Sequence, residues 1–298
     1  MKFYDATAEE PLIKETIQKF GYAPEHNFDW YRFCTEEDEK GIFVASEHGD
    51  GLLTMQGSDE ARVFSSPVAS LGRRAPILIE YLEQIFQIAE IKKVWLELET
   101  PLRKEFLRIA PTHFQPRPIN YTLTWPVMNM GMFDPALPGG HYKFLRKEKH
   151  RFYRNHSVKV LDAKQFGNSD ALLGIIDRWK QHRKGHDRAW STEYLNMIKG
   201  SFEGMATARV FMVDENPVGI NAGWMIPNSN RFYGAVGIHD YSVPNLGAML
   251  YLEDLEFLKS AGYREADMGG GEKALTAFKN EFLPESFYKT HIFSVAKK

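Results

Sequence analysis

The residues best suited to chemistry lie near the carboxyl end of the chain, where a predicted strand ends in an acidic residue followed by glycines. The group consists of Asp267, Lys279 and the glycine run Gly269, Gly270 and Gly271. Glycines let the backbone approach a ligand closely, and open sheets place their sites at the carboxyl ends of strands. Amide-bond formation needs an amine nucleophile, an activated ester or thioester, and stabilisation of the tetrahedral oxyanion. These residue types suit that chemistry, although a capping carboxylate and a surface lysine explain them equally well.

A second candidate lies where the apolar strand over residues 231–238 leads into a helix over residues 246–260. Asn245 and Gly247 begin that helix, and backbone N–H groups at a helix start can bind a phosphate group. A plain helix cap by Asn245, with Pro244 stiffening the entry, is the alternative. Three aromatic residues on or beside the neighbouring strands are further candidates for lining an acyl pocket, although such residues also fill sheet cores. They are Trp224, Tyr233 and His239.

Positive charge is concentrated in one segment of a chain whose formal net charge is −2. Residues 141–188 contain 13 Lys and Arg against 5 Asp and Glu. Basic residues interleaved with aromatic ones suit a phosphate backbone with stacked bases, as in tRNA, or an anionic lipid headgroup. A solvated helix face is the simpler alternative. The candidate polyanion-binding residues are Arg146, Lys147, Lys149, Arg151, Arg154, Arg183, Lys184 and Arg188.

Two successive sets of strands and helices must position these residues. The first is predicted as strands over residues 41–46, 52–56, 62–68, 94–98 and 121–127, with helices over 14–20, 74–90 and 102–109. The second is predicted as strands over 157–161, 208–213, 218–226, 231–238 and 265–268, with helices over 142–155, 171–184, 192–202 and 246–260. Both sets close with a strand, a short helix, an aromatic-rich loop and another strand, which favours a structural duplication.

A stretch rich in proline and glycine over residues 129–140 suits a linker between the two sets. We therefore predict an α/β fold with mixed sheets, with one domain over residues 1–130 and a second over residues 141–298. A chain of 298 residues accommodates two such domains, and its 43% of hydrophobic residues can fill both cores.

Composition also limits the compartment and the cofactors. Cys34 is the only cysteine, so no internal disulfide can form and a reducing, cytoplasmic environment is expected. The sequence has neither a signal peptide nor an apolar run of about 20 residues, so we expect no transmembrane segment, while peripheral membrane contact stays open. The histidines lack the spacing of metal ligands, so no metal site is expected.

The stretch from Gly262 to Phe293, with its Asp-Met-Gly-Gly-Gly run and Phe-Lys pair, resembles the C-terminal end of Fem-type aminoacyltransferases and of the catalytic domain of phosphatidylglycerol lysyltransferases. Both belong to the GCN5-related N-acetyltransferase (GNAT) superfamily. The resemblance implies two tandem GNAT-like acyltransferase folds, a degenerate first one and a catalytic second one. It further implies that Lys279 stabilises the oxyanion, that Asp267 orients the nucleophile or accepts its proton, and that the glycine run contacts the donor.

The resemblance implies no tightly bound cofactor and two possible co-substrates. Acetyl-CoA-dependent members place a basic residue and a glycine-rich turn before their helix; here the basic residue is missing and the turn matches weakly. Aminoacyl-tRNA is therefore the favoured donor and acyl-CoA the alternative. The acceptor is expected to be a small molecule, a peptide or a lipid headgroup, the last as in a lysyltransferase. A non-catalytic binding module is the least favoured interpretation.

Overall fold

The computed structural model describes residues 1–183 and 190–298 of the chain. The strands in these ranges are β1 (Lys2–Asp5), β2 (Lys40–Ala45), β3 (Gly51–Gln56), β4 (Glu60–Val63), β5 (Lys93–Glu99), β6 (Phe114–Pro116), β7 (Tyr121–Asn129), β8 (Val158–Asp162), β9 (Thr207–Val213), β10 (Asn216–Met225), β11 (Arg231–His239), β12 (Glu265–Asp267) and β13 (Ser286–Lys297). The α-helices are α1 (Glu10–Phe20), α2 (Phe28–Phe33), α3 (Arg74–Ile85), α4 (Thr100–Ile109), α5 (Lys143–Asn155), α6 (Ser169–His182), α7 (Thr192–Lys199), α8 (Leu246–Ser260) and α9 (Lys273–Asn280).

Most predicted elements are confirmed, and the differences have local causes. The strand predicted over residues 62–68 ends at Val63, because Ser65 adopts a φ of +59° that breaks an extended backbone. The helix predicted to reach residue 90 ends at Ile85. β1 and α2 have no predicted counterpart. The start of α2 is fixed by Asn27, whose side-chain oxygen accepts a 3.0 Å hydrogen bond from the Trp30 backbone N–H.

The strands of the described ranges form one mixed sheet. They follow the order β1-β2-β3-β4-β5-β13-β7-β12-β11-β10-β9-β8, and β6 pairs separately with β13. Two neighbouring pairs are parallel, β4 with β5 and β11 with β12, and each pair is joined by a crossover helix, α3 and α8 respectively. An antiparallel meander followed by a helix and a parallel strand therefore occurs twice. This arrangement confirms the predicted mixed α/β fold.

The two closing strands are exchanged between the N-terminal half (residues 1–130) and the C-terminal half (residues 141–298). β7 closes the N-terminal half but pairs with β12, which places Val127 opposite Asp267. β13 closes the C-terminal half but pairs with β5. The exchanged strands also pair with each other, with Tyr288 opposite Trp125. The strand that carries Asp267 is therefore enclosed by residues of both halves, while the domain boundaries at 130 and 141 stay a prediction.

Large side chains from both halves form the core at their junction. Trp30 of α2 and Trp224 of β10 are 5% and 4% exposed, and their ring centroids lie 5.6 Å apart. The Trp224 indole N–H donates to the Pro24 carbonyl at 2.8 Å, and the Asn196 amide of α7 donates to the Phe33 carbonyl at 3.0 Å. Burial of one large apolar side chain contributes about 1.5–3 kcal/mol. The halves are thus joined by core packing.

Helix α5 presents one buried face and one basic face. Leu145, Glu148 and Phe152 are buried at helical spacing, and basic residues take most of the exposed positions. An ion pair between Lys149 and Glu256 ties α5 to α8. Among the helices in the described ranges, none has the length and apolar character needed to cross a bilayer.

Candidate active site

The glycine run follows the point where β11 and β12 separate, and its conformation requires glycine. The parallel pairing of β12 covers three residues and ends at Asp267. Gly269 adopts a φ of +80°, which glycine reaches without steric cost. A Cβ built on Gly270 would lie 2.7 Å from the Trp125 ring. Gly271 then rejoins β7 through two backbone hydrogen bonds of 3.0 Å. The run therefore turns the chain sharply beside Asp267.

Asp267 is fully buried, and both of its carboxylate oxygens are hydrogen-bonded. Oδ1 accepts from the Gly269 backbone N–H at 2.9 Å, and Oδ2 accepts from the Tyr288 hydroxyl at 2.7 Å. Burial raises the pKa of Asp267 to about 6, although these hydrogen bonds and the charges of Arg231 and Lys279 oppose the rise. The carboxyl group is therefore ionised at neutral pH but close enough to its pKa to exchange a proton.

Lys279 is buried rather than exposed at the surface of α9. Its side chain is 2% exposed, and its ammonium group donates to the carbonyls of Met268 at 2.5 Å and Gly269 at 2.9 Å. Burial lowers the pKa of Lys279 to about 8, and the nearby Asp267 charge opposes that decrease. An ammonium group has three N–H donors, so the loop takes two of them. The oxyanion role of Lys279 stays a prediction, whereas its contacts hold the glycine loop in place.

A cleft between the two halves reaches this site through Tyr288. Its volume is about 240 Å³, and Tyr288 on β13 forms part of its wall. The pKa of the Tyr288 hydroxyl is raised by burial and further by the Asp267 charge, so the hydroxyl stays a donor. Asp267 is thus linked to the cleft through the Tyr288 hydroxyl. The lining residues are Tyr22, Pro24, Glu99, Val127, Ile226, Arg231, Ser286, Phe287 and Tyr288.

Tyr288 was not predicted from the sequence as a site residue, although the alternation of residues along β13 indicates which face of the sheet it lies on. β13 alternates residues between its two faces, and Tyr288 lies two residues before the buried Thr290 on the same face. The pairing with Trp125 that brings Tyr288 to Asp267 depends on the exchange of β7 and β13. That exchange joins residues far apart in the chain, and no local pattern predicts it.

Two of the predicted donor-binding residues lie in an aromatic cluster beside the cleft. Tyr233 is opposite Asp267 in the sheet, and its ring centroid lies 5.1 Å from that of Trp224 and 6.0 Å from that of Trp125. Trp125 in turn stacks on Tyr288 at 5.5 Å. Tyr233 and Trp224 are 5% and 4% exposed. Their side chains therefore shape the wall of the cleft from within the core, and their contact with a donor stays a prediction.

The other predicted donor-binding residues meet at the start of α8, about 20 Å from Tyr233 along β11. Asn245 has a φ of +63°, and its side-chain amide donates to Glu148 of α5 at 2.5 Å instead of capping the helix. The His239 ring covers Gly247, since a Cβ there would lie 2.8 Å from it. Burial lowers the pKa of His239 to about 4, so the ring is neutral. A buried carboxylate and an uncharged ring thus surround the helix start.

Three of the predicted polyanion-binding residues are engaged within the protein. Arg146 donates to backbone carbonyls of the loop before α5. Lys149 pairs with Glu256 of α8, and Arg151 pairs with Glu148 at 2.6 Å. These side chains hold α5 in place, so their charges are partly neutralised.

Four other basic residues of α5 form an exposed row. They are spaced by four, three and four positions, which aligns them on one helix face, and none pairs with an acidic group in the part of the chain that the structure describes. This row, named the basic stripe, consists of Lys143, Lys147, His150 and Arg154. Phe144 beside it is 67% exposed. Arg183 lies over the Trp179 ring at 4.9 Å, and Lys184 and Arg188 lie outside the described residues.

Residues 140–280 match the family model described as the acetyltransferase (GNAT) domain. No curated protein matches the chain. The C-terminal domain of a putative lysylphosphatidylglycerol synthetase from Agrobacterium fabrum has the same fold, with a TM-score of 0.68 and 14% identity over 97% of this chain and 92% of that chain. A tandem GNAT protein from the clavulanic acid biosynthesis pathway has a TM-score of 0.59 and 13% identity over 99% and 98% of the two chains. FemX has a TM-score of 0.56 and 9% identity over 98% and 97%.

These comparisons confirm the predicted resemblance to the tandem GNAT branch and the predicted fold. The GNAT match covers α5 to α9 and therefore includes the glycine run and Lys279. It also confirms the predicted enzyme class, an acyltransferase.

Proposed function

We propose that this acyltransferase takes its acyl group from an aminoacyl-tRNA and transfers it to an amine or a hydroxyl group in the cleft beside Tyr288. The observation that carries this proposal is the buried Glu148 carboxylate at the start of α8. An acyl-CoA donor would place its pyrophosphate at that helix start. Glu148, which accepts from Asn245 and pairs with Arg151, already occupies that helix start, and with the neutral His239 ring over Gly247 it opposes binding of such a group.

Proton transfer in this reaction is assigned to Tyr288 and Asp267. When an acceptor amine attacks the ester carbonyl, the new C–N bond forms, the C–O bond to the ribose breaks, and the amine proton must reach the ribose oxygen. Tyr288 on the cleft wall accepts that proton as it gives its own to Asp267, 2.7 Å away. The return transfer delivers the proton to the leaving oxygen. A carboxyl group with a pKa of about 6 is ionised at neutral pH and can take this part.

Lys279 supports the same step from behind the loop. Two of its N–H groups fix the carbonyls of Met268 and Gly269, and its charge helps to keep Asp267 ionised. The remaining N–H of the ammonium group is available for the role that the family resemblance implies for Lys279, which is stabilisation of the oxyanion.

The basic stripe supports tRNA as the carrier of the acyl group. Unpaired charges of Lys143, Lys147 and Arg154 on one face of α5 suit a row of backbone phosphates, and the exposed Phe144 ring offers a stacking surface. Glu148 on the opposite, buried face of the same helix excludes the anionic group of CoA. One helix would thus favour one polyanion and disfavour the other.

Binding of an aminoacylated tRNA at several salt concentrations tests this proposal, with acetyl-CoA titrated in parallel. We expect tight tRNA binding whose logarithm falls steeply with the logarithm of salt concentration. The double variant Lys147→Glu with Arg154→Glu should weaken binding and reduce the salt slope by about one unit for each phosphate that the variant no longer neutralises. Lys104→Glu, an exposed lysine of α4 in the N-terminal half, is the matched control and should leave binding almost unchanged.

Three outcomes would contradict the proposal. Saturable acetyl-CoA binding with weak tRNA association would make the chain an acyl-CoA N-acyltransferase. Equal effects of the stripe variant and the control would remove the basic stripe from the interface. Binding to anionic vesicles in preference to tRNA, with transfer to a lipid headgroup, would favour the lysyltransferase-like alternative.

A further inference from the structure

Three glutamates lie at the junction of the halves. Glu25 lies in the loop after α1, Glu97 on β5 and Glu193 at the start of α7, and all three are half-buried. None forms an ion pair with another residue in the ranges 1–183 and 190–298. Burial of an ionised carboxylate without a cationic partner costs free energy, because the charge loses its hydration. Such groups persist where a ligand supplies the missing charge.

The charges of Glu97 and Glu193 both act on Glu25, so the three carboxyl groups lie near one another. Burial raises the pKa of Glu25 to about 8, and the charges of Glu97 and Glu193 support that increase. Burial likewise raises the pKa of Glu193 to about 7 and raises that of Glu97. Arg62 lowers the pKa of Glu25 and Glu193, but its guanidinium is held by Glu39 at 2.6 Å. The other facing groups are Ser65 at Glu25, Glu36 at Glu193, Thr290 at Glu97, and the Cys34 thiol, whose pKa is affected by both Glu25 and Glu193.

Two polar groups of the neighbouring aromatic cluster form no hydrogen bond within the part of the chain that the structure describes. The Tyr233 hydroxyl belongs to a side chain 5% exposed, is affected by the charges of Glu25 and Glu97, and forms no hydrogen bond to a described residue. The Trp30 indole N–H, in a side chain also 5% exposed, is buried without an acceptor in the same part of the chain. Buried polar groups are nearly always hydrogen-bonded. Two such groups in one aromatic cluster indicate a position for a ligand.

The cluster lies next to the cleft already described. Pro24 and Tyr288 form part of the cleft wall, and Glu25 follows Pro24 directly. On the other side, the Trp125 indole N–H donates to the Thr290 hydroxyl at 2.9 Å, and that hydroxyl donates to Glu97 at 2.6 Å. Glu97 is thus linked through Thr290 to Trp125, which stacks on Tyr288 at the proposed reaction centre.

We propose that Glu25, Glu97 and Glu193, with the rings of Trp30, Trp224 and Tyr233, bind the primary ammonium group of a cationic substrate. Carboxylates accept its three N–H donors, and the aromatic faces attract its charge. A basic side chain entering from the cleft would leave its reacting carbonyl or amine beside Tyr288. The assignment of this cation to a transferred basic aminoacyl group or to a diamine-like acceptor rests on the proposed function, whereas the binding itself does not.

Binding of this cation should be linked to proton release. Glu25 is largely protonated below about pH 8 and Glu193 below about pH 7, because burial raises the pKa of both carboxyl groups. A bound ammonium group favours the ionised carboxylates, so each binding event should release protons. Affinity should therefore increase as the pH rises from 6 to about 8.

Isothermal titration of the full chain with cadaverine tests the proposal without any transfer assay. We expect saturable binding, with heats that depend on the ionisation enthalpy of the buffer. Glu25→Gln and Glu97→Gln should each weaken it about tenfold or more, since each removes an acceptor of a charged hydrogen bond. Glu105→Gln, a half-buried glutamate of α4 outside this cluster, is the control and should leave the affinity unchanged. Both Gln variants retain the shape of the side chain, and thermal unfolding would verify that they are folded.

Two results would overturn this assignment: no cadaverine binding at pH 8, or equal binding by the wild-type chain and both Gln variants. Binding of 1-pentanol as tight as that of cadaverine would also overturn it, because the alcohol lacks the charge. If the chain binds cadaverine but transfers no aminoacyl group, the cation site is supported and the proposed function is wrong. If it transfers neutral aminoacyl groups but does not bind cadaverine, the proposed function is supported and the cation site is wrong.

Discussion

The two halves share one plan but differ at the end of the parallel strand. In the N-terminal half β5 extends over seven residues, and α4 begins directly at Thr100. In the C-terminal half β12 stops after three residues, and the loop from Met268 to Glu272 precedes α9. The early stop leaves Asp267 beside Tyr288 and the cleft, whereas the longer strand in the N-terminal half continues the sheet. The duplicated fold therefore acquires a candidate site by shortening one strand.

The two crossover helices, α3 and α8, each begin beside a buried carboxylate. At α3, Arg73 binds the buried Asp50 at 3.2 Å and also pairs with Glu80. At α8, Asn245 binds the buried Glu148. Each half thus keeps a carboxylate near the helix end that favours negative charge. A carboxylate already stabilised there would compete with a phosphate ligand, which is the basis for proposing a donor other than acyl-CoA.

Among the variants that test the difference between the two halves, Asp267→Asn should reduce turnover the most. Asparagine keeps the shape but cannot accept a proton, so kcat should fall by about 10²–10⁴-fold, the range for loss of a general base. In the wild-type chain, activity should be lost as pH falls through about 6, where Asp267 becomes protonated. A pH–rate profile under saturating substrate measures both effects.

Asp254→Asn is the matched control, since burial also raises the pKa of Asp254 to about 6 but its partner is Arg209. That variant should keep turnover within a few-fold of the wild type. Turnover in Asp267→Asn equal to that of the control would remove Asp267 from the proton path.

Lys279→Met separates the two roles of the lysine. Phe278-Lys279 corresponds to Phe106-Leu107 in the N-terminal half, where the leucine is 37% exposed and holds no loop. Loss of two hydrogen bonds from a buried ammonium group should lower the free energy of unfolding by about 2–4 kcal/mol. Leu107→Ala should cost less than about 1 kcal/mol. Urea denaturation measures both variants.

Activity in the same Lys279→Met variant decides between the roles. A variant that is destabilised and inactive is expected if the lysine acts by holding the loop beside Asp267. Full stability combined with lost turnover would instead favour the oxyanion role predicted from the sequence.

Sequence patterns predicted the repeated plan but not the contacts between its copies. Periodicity located α8 at its observed bounds, and the glycine run marked the turn at Gly269 because a left-handed φ demands that residue. Burial of Lys279 was not predictable, because its two carbonyl partners become available only once Gly269 turns the loop. The contacts of Tyr288 depend on the strand exchange, and those of Glu25 depend on the packing of the two halves. Contacts between residues that are far apart in the chain produce no periodic pattern in the sequence.

Tyr288→Phe should have an intermediate effect. It removes the hydroxyl that connects Asp267 with the cleft, so kcat should fall about 10–100-fold. In the wild-type chain this hydrogen bond lowers the pKa of Asp267, so its removal should move the acidic limb of the pH–rate profile to higher pH. Phe287→Leu, one residue earlier on the same cleft wall, is the control for packing. A reduced rate with an unmoved acidic limb would mean that Tyr288 packs against the substrate without serving Asp267.

Glu148→Gln should have the smallest effect, and it tests the comparison of the helix starts. Glutamine can still accept the Asn245 hydrogen bond but carries no charge, so the positive end of α8 is no longer neutralised. Such an interaction amounts to about 0.3–1 kcal/mol, which predicts a two- to fivefold gain in coenzyme A affinity by titration at low salt. Asp50→Asn changes the same net charge at the start of α3 and should leave that affinity unchanged. If both variants gained equally, overall charge rather than the site at α8 would govern the response, and Glu148 would lose its role in excluding a CoA donor.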